Sequence, residues 1–296
     1  EKTVHADAEV IVSSGAINSP RLLMLSGIGA AGELEKVGVR VVHDLPGVGK
    51  NLHDQLEVYV TAETRQPISY SGEDRWHRAP FHALQYGLYR TGPATATVTQ
   101  AGAFLSSSDD VRSPDIQLHF LPAYVVWEDG SRTAARVKGH GFTILACNVR
   151  PRSRGDVRLV SADPADMPAV DPNYLDDPQD WEVTLEGFEW IRKVLSAPAF
   201  RSYVRKEHMP GAHVRSEKDI RDYIRAWAKT DYHPVGTCKM GNDELAVVDS
   251  RLRVHGLEGL RVIDSSIMPT IISGNTQAPA IMIGEKGADM VIADAR

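Results

Sequence analysis

The sequence predicts a mixed α/β (α+β overall) chain in which two strand-to-helix segments flank a mostly antiparallel sheet with its own helices. Three observations carry that expectation. Near the start, Glu9-Val10-Ile11-Val12 reads as a strand running into the small-residue turn Ser13-Ser14-Gly15-Ala16 and then a helix. Near the end, Gly259-Leu260-Arg261-Val262-Ile263-Asp264 reads as a buried strand ending in a carboxylate, followed by an irregular loop over 265–273 and a helix from Ala280 to about Ile292. Between them, from Glu57 to about Asn148, short alternating or aromatic segments such as Glu57-Val58-Tyr59-Val60-Thr61 and Ile116-Gln117-Leu118-His119-Phe120 are separated by polar loops, which suits an antiparallel sheet.

The elements follow in order. Ser19-Pro20 reads as an N-cap with proline at the first helical position, and Arg21 to Leu25 continues that helix. A second helix is expected from Gly32 to Val37, a short strand at Val39 to His43, and a turn at Leu45-Pro46-Gly47-Val48-Gly49. Farther along, Asp177-Pro178 opens a helix whose Trp181, Thr184, Leu185, Phe188, Ile191 and Leu195 recur at helical spacing. Ser216 with Asp219 three residues later resembles a capping box, ahead of the apolar stripe Ile220, Tyr223, Ile224 and Trp227. Both stripes read as core.

Composition narrows the function. The chain has 296 residues, 42% of them hydrophobic, enough for a sizeable core and too many for a disordered chain. Lys and Arg number 33 against 39 Asp and Glu, and a net charge of -6 argues against a surface tuned to nucleic-acid phosphates. No apolar run approaches the roughly 18 residues of a membrane span, and Cys147 and Cys238 alone build neither a disulfide framework nor a cysteine zinc cluster. A cytoplasmic protein is the default expectation. The chain opens on Glu1-Lys2-Thr3-Val4 just ahead of a strand, as if cut from a larger fold or made as one half of it.

Gly27-Ile28-Gly29-Ala30-Ala31-Gly32 matches the glycine spacing of a dinucleotide-binding loop, yet it follows a helical segment instead of leaving a strand. These glycines are expected to end one helix and allow close packing before the next. A stronger constellation is Asp231-Tyr232-His233-Pro234-Val235-Gly236-Thr237-Cys238, where a proline restricts the backbone of the preceding histidine. An imidazole so held can accept a proton at neutral pH or serve the fold alone. In Gly274-Asn275-Thr276-Gln277-Ala278-Pro279, proline in the first helical turn points amide groups and the positive end of the helix dipole at whatever lies by Gln277. An anion would be stabilised there, and an ordinary capped helix would look the same.

Taken together and in this order, these motifs resemble the glucose-methanol-choline (GMC) flavoprotein oxidoreductases, closest to the choline-dehydrogenase-like branch. Ser14 to Pro20 through Ser26 to Gly29 is similar to one family signature, and Leu45 to Asp54 to another, although Gln55 stands where the family commonly has His. The motif around His233 and the run from Asp264 to Glu285 complete the set. The resemblance implies a Rossmann-like FAD-binding domain made in part by 1–55 and 232–296, with a substrate domain over 56–231. It implies FAD-dependent oxidation of a primary alcohol to an aldehyde, with His233 as base and Asn275 orienting the substrate oxygen. Gly15, Tyr232, Asp264, Ser265, Thr276 and Gln277 would contact the cofactor, and Glu57 matches a carboxylate that choline-oxidising members set near the trimethylammonium group; no metal is implied. The family's true strand-turn-helix glycine motif is absent, so an N-terminal FAD-binding chain or fragment is expected to complete the site. A flavin-fold lyase and a non-catalytic partner subunit are the competing readings, and a homo-oligomer is left open.

Overall fold

The computed structural model describes residues 2–73, 75–97, 99–127 and 134–295. They form two compact units. The first takes the described residues within 1–55, 150–178 and 232–296, the second those within 56–149 and 179–231.

In the first unit, strand Val10–Val12 runs parallel to Leu260–Val262, and helix Gly15–Leu25 follows directly. Only Val12 of the first strand is buried; Val10 and Ile11 are about half exposed. The helix begins five residues before the expected Ser19-Pro20 start, so Pro20 lies inside it. A proline there cannot donate to the carbonyl one turn back. Thr237 supplies the missing donor, its Oγ1 reaching the Ala16 carbonyl at 2.6 Å. Ser19 is likewise no cap. Its hydroxyl accepts from Ser14 N–H at 2.9 Å and donates to Asp264 Oδ2 at 2.5 Å, tying the helix start to the end of the neighbouring strand.

Gly27 ends that helix at φ +82°, where a side chain would strike the Arg40 carbonyl. The strand expected at 39–43 is reduced to His43–Asp44, parallel to Ile28–Gly29, since those two residues are all the partner it has. Helix Ala31–Lys36 lies between them. The glycine-rich decoy therefore serves a helix end and a tight crossing. Segment 150–178, expected to go with the middle of the chain, folds instead with the first unit. Its hairpin Asp156–Arg158 with Ala169–Asp171 places Val157 in the same apolar core as Leu23, Leu34, Val48, Leu52, Val235, Val262 and Ile283, and Gly155 exchanges backbone bonds of 2.9 and 3.0 Å with Leu52. Helix Gln277–Asp294 ends on an ionic clasp in which Arg251, Arg253 and Arg261 converge on Asp294.

The second unit is built on a six-stranded antiparallel sheet. Its main path runs Val204–Met209, Leu56–Thr64, Gly141–Asn148, Ile116–Leu121, Ala101–Leu105, with Lys229–Thr230 pairing the start of Leu56–Thr64. The two central strands are buried almost throughout instead of alternating. Helix Pro178–Ser196 covers part of one face, closely enough that a Cβ at Gly187 would lie 3.0 Å from Ala146. Helix Glu217–Trp227 opens with the expected capping box, Ser216 and Asp219 exchanging bonds of 3.1 and 3.2 Å, and its Tyr223 hydroxyl donates to the Tyr59 carbonyl at 2.7 Å. Among the described residues no helix is long and apolar enough to cross a membrane.

The Pro20 repair makes a prediction. Thr237→Val removes the donor while leaving the Ala16 carbonyl buried, and should cost about 1–3 kcal/mol, measured by urea unfolding. Pro20→Ala, which restores the backbone donor, should recover part of that loss in the double variant.

Candidate active site

In the first unit the chain around Asn51 to Gln55 lies antiparallel to Tyr232 to Gly236. His53 and Val235 exchange backbone bonds of 3.0 and 2.9 Å. Asn51, at φ 65°, donates its Nδ2 to the Gly236 carbonyl at 3.1 Å. Gly236 is itself at φ +92°, with its missing Cβ direction aimed at the Asn51 carbonyl, so no side chain fits there.

This pairing fixes His233. Its backbone N–H donates to Asp54 Oδ1 at 2.9 Å, and the other carboxylate oxygen of Asp54 takes the hydroxyl of Tyr174. Its Nδ1 lies 2.7 Å from Gln55 Oε1. The Gln55 amide nitrogen donates to the carbonyls of Ile272 at 3.0 Å and Gly274 at 3.4 Å. With both of its protons facing carbonyls, Gln55 presents only an acceptor to the imidazole, so Nδ1 must carry the proton and Nε2 is the basic nitrogen. Asn275 Nδ2 stands 3.4 Å from that Nε2. The histidine is buried and Asn275 is exposed; the two polar groups converge within reach of one small oxygen atom.

A second set of expected residues gathers at Asp264. Its Oδ2 accepts from the Gly15 N–H at 2.9 Å as well as from Ser19, and its Oδ1 accepts from the Ser266 N–H at 2.8 Å. The carboxylate is thus occupied in holding the Gly15 turn against the 3-10 turn Ser265–Ile267. Gly15 is at φ +79° with open space where a side chain would be. Tyr232 is also left-handed, at φ 61°, and mostly exposed. Thr276 is buried at the start of helix Gln277–Asp294 but makes no side-chain cap, and no acidic residue lies in the first turn. Gln277 is exposed. First-turn amides without a side-chain cap suit a negatively charged group.

Glu57 lies in the second unit, on the strand Leu56–Thr64 and in register with Lys229. Its carboxylate is 3% exposed and paired with the Lys229 ammonium. His119 Nε2 lies 3.6 Å from Asp231 Oδ2, and ligand atoms of Glu57, His119 and Asp231 all fall within 4.8 Å of one another. Burial, then Asp231, pushes the Glu57 carboxyl up to about 7 against the pull of Lys229. Burial lowers the His119 imidazole, but Asp231 and Glu57 outweigh it and the net direction is upward. The sequence reading singled out Glu57 and missed the other three. Lys229 and Asp231 alternate two residues apart just before His233, and that period of two was the available signal. Asp54 lay inside a recognised motif without a role, and nothing local pointed to Tyr174.

Family models described as GMC oxidoreductase match residues 1–57 and 151–284. The chain belongs to the GMC oxidoreductase family. It is 44% identical over 286 residues to an alcohol dehydrogenase [acceptor] of Pseudomonas putida, covering 96% of this chain and 51% of that protein. It is 42% identical over 288 residues to an oxygen-dependent choline dehydrogenase of Cronobacter sakazakii, covering 97% of this chain and 51% of that one. Among solved structures, pyridoxine 4-oxidase from Mesorbium loti matches with a TM-score of 0.81 at 29% identity, over 95% of this chain and 50% of the other. Formate oxidase of Aspergillus oryzae matches with 0.85 at 26%, over 98% and 55%. This GMC chain spans about half the length of the curated relatives it matches.

One member of the paired segment tests its energetics. His53 is fully buried, and its Nδ1 lies 2.7 Å from the Asn51 carbonyl. Burial, helped by the charge of Arg154 and opposed by that carbonyl, lowers its pKa from 6.5 to about 4. The folded protein therefore binds fewer protons than the unfolded chain between those values, so this stability is present above pH 6.5 and lost as pH falls toward 4. The loss amounts to about 3 kcal/mol. In urea unfolding at stepped pH, His53→Gln should lose less stability than the parent across that window; parallel curves would refute the assignment.

Proposed function

We propose that this chain carries the proton-handling and substrate-orienting residues of an FAD-dependent oxidation of a primary alcohol to an aldehyde. The observation that carries the proposal is the oriented His233 with Asn275 converging on its basic nitrogen. His233 Nε2 takes the hydroxyl proton of the alcohol, with Nδ1–H held by Gln55 so that the ring cannot turn away. The Asn275 amide donates to the alcohol oxygen and, being neutral, does not compete for the proton. A buried imidazole so aimed contributes typically about 10²- to 10⁴-fold in rate.

FAD, when bound, supplies the acceptor for the hydride that leaves the carbinol carbon. The residues of this chain that would hold it are Gly15, Tyr232, Ser265, Thr276 and Gln277, with Asp264 acting through the Gly15 and Ser265 turns it clamps. Uncapped amides at the start of a long helix support that reading, since such a terminus stabilises negative charge by about 0.3–2 kcal/mol. Residues 1–55 and 232–296 would then belong to the cofactor domain and the central sheet to the substrate domain. A nucleotide-binding half, in the same longer protein or on another chain, would complete it. Glu57 is assigned to substrate recognition; a buried carboxylate suits a cationic alcohol, and oxygen-dependent choline dehydrogenases are among the relatives.

Anaerobic stopped-flow of the FAD-loaded protein with a primary alcohol tests this. His233→Ala should slow flavin bleaching by about 10²-fold or more, and Asn275→Ala should slow it less. Bleaching at the parental rate in His233→Ala rejects the base assignment, and a flavin that stays oxidised with every alcohol rejects the reaction class.

A further inference from the structure

Segment 150–178 delivers one side chain, Tyr174, to the surroundings of His233, and its backbone is bent to do so. Tyr174 stands between two non-glycine residues in the left-handed region, Asn173 at φ 52° and Leu175 at φ 63°. That conformation crowds the side chain against its own backbone. Asparagine tolerates it better than leucine does, and it persists only where the surroundings impose it.

Hydrogen bonds on both sides of Tyr174 impose it here. Asp171, opposite Asp156 in the hairpin, accepts the Asn173 N–H on Oδ1 at 2.9 Å, and Asn173 Nδ2 donates to the Arg154 carbonyl at 3.2 Å. Beyond Tyr174, the Asp177 N–H donates to Ser153 Oγ at 3.1 Å. Both ends of the turn are thus pinned to 153–156. Gly155 allows that crossing, since a Cβ there would lie 1.9 Å from the Asp171 carbonyl oxygen. Gly155 also exchanges backbone bonds with Leu52, just ahead of Asp54 in the chain. One crossing therefore places both the loop that carries Tyr174 and the segment that carries Asp54.

The Tyr174 hydroxyl donates to Asp54 Oδ2, and Asp54 Oδ1 accepts the His233 N–H at 2.9 Å. Asp54 is buried and Tyr174 partly so. A carboxylate turns as one rigid plane, so a hold on either oxygen restrains the other. The amide it reaches follows Tyr232, itself left-handed at φ 61°, and precedes Pro234. His233 is thus set through its backbone by Asp54 and through its ring by Gln55. Misplacing a reacting group by about 1 Å costs about 10²-fold in rate.

Resting on the reading of His233 as base, we infer that Tyr174 is a positioning residue for it: the phenol holds the Asp54 carboxylate, and the carboxylate holds the backbone from which the imidazole is aimed. Its effect passes through His233, unlike that of a residue that binds the alcohol. It acts on rate, unlike that of a mere anchor for segment 150–178.

Anaerobic stopped-flow of the flavin-loaded protein with a primary alcohol tests this. Tyr174→Phe should slow flavin bleaching by about tenfold with the apparent Kd of the alcohol unchanged, and Asp54→Ala by about 10²-fold. Asp54→Asn, which keeps an oxygen acceptor, should lose less than Asp54→Ala. In the His233→Ala background, Tyr174→Phe should slow bleaching no further, as for residues that act as one unit. Bleaching at the parental rate in Tyr174→Phe overturns the inference, and so does an equal loss with and without His233, which is what a purely structural role gives. A measurement without turnover separates the inference from the reading it rests on. By NMR of flavin-loaded protein isotopically labelled at histidine, the His233 amide, assigned by its loss in His233→Ala, should shift and exchange with solvent about tenfold faster in Tyr174→Phe. An unmoved amide overturns the inference whatever the kinetics show. If the amide responds but no alcohol bleaches the parental flavin, or His233→Ala bleaches at the parental rate, the reading of His233 as base fails and the positioning of its backbone stands. Should Tyr174→Phe not fold, Asp54→Asn, compared in the same two backgrounds and by the same amide, decides.

Discussion

Two backbone hydrogen bonds between His53 and Val235 set the geometry on which the rest of the candidate site depends. They join segments 182 residues apart in the chain (235 − 53) and fix their register. Once that register is set, each neighbour falls opposite its partner: Asn51 at Gly236, Asp54 at the His233 amide, Gln55 at the imidazole. Shifting a ladder by one residue turns every side chain to the other face. The site is therefore as precise as this one pairing, and the features around it defend it. Gly236 admits the Asn51 carbonyl because it has no side chain, and Val235, with no exposed surface, is held in the apolar core.

The same long-range dependence decides what could be read from sequence. Elements whose cause is local were legible: the capping box at Ser216, the apolar stripe of helix Pro178–Ser196, the turn at Gly15. Ser19-Pro20 misled because its local preference is for a helix start, while Thr237, more than two hundred residues away, supplies the donor that lets proline sit inside. The strand at 39–43 was overcalled because Val39 and Val41 are apolar and a strand also needs a partner. Segment 150–178 was misplaced because backbone exchange with Leu52, not composition, assigns it. In the site, His233 and Asn275 were reachable through motif order. The roles proposed for them as proton acceptor and amide donor rest on Gln55 and its two carbonyl partners, which spacing does not reveal. Tyr174, Lys229 and Asp231 became visible only through pairing across strands and loops.

The departure at Gln55 has a chemical meaning beyond its place in a motif. A histidine at that position could offer either a donor or an acceptor to its neighbour and could change charge with pH. A glutamine cannot titrate. Here its nitrogen faces two backbone carbonyls, and turning the amide over would set its oxygen against the Ile272 carbonyl at 3.0 Å. Only one tautomer of His233 satisfies this arrangement, and it leaves the lone pair on Nε2. Gln55 is thus a fixed acceptor behind the imidazole and not a group with which the ring could share a proton. When Nε2 takes a proton, the positive charge on the ring is stabilised by the amide dipole through Nδ1–H and not by transfer to Gln55. A proton held on Nε2 would be gained and released on the Asn275 side of the ring, which is what the proposed role of His233 as base requires.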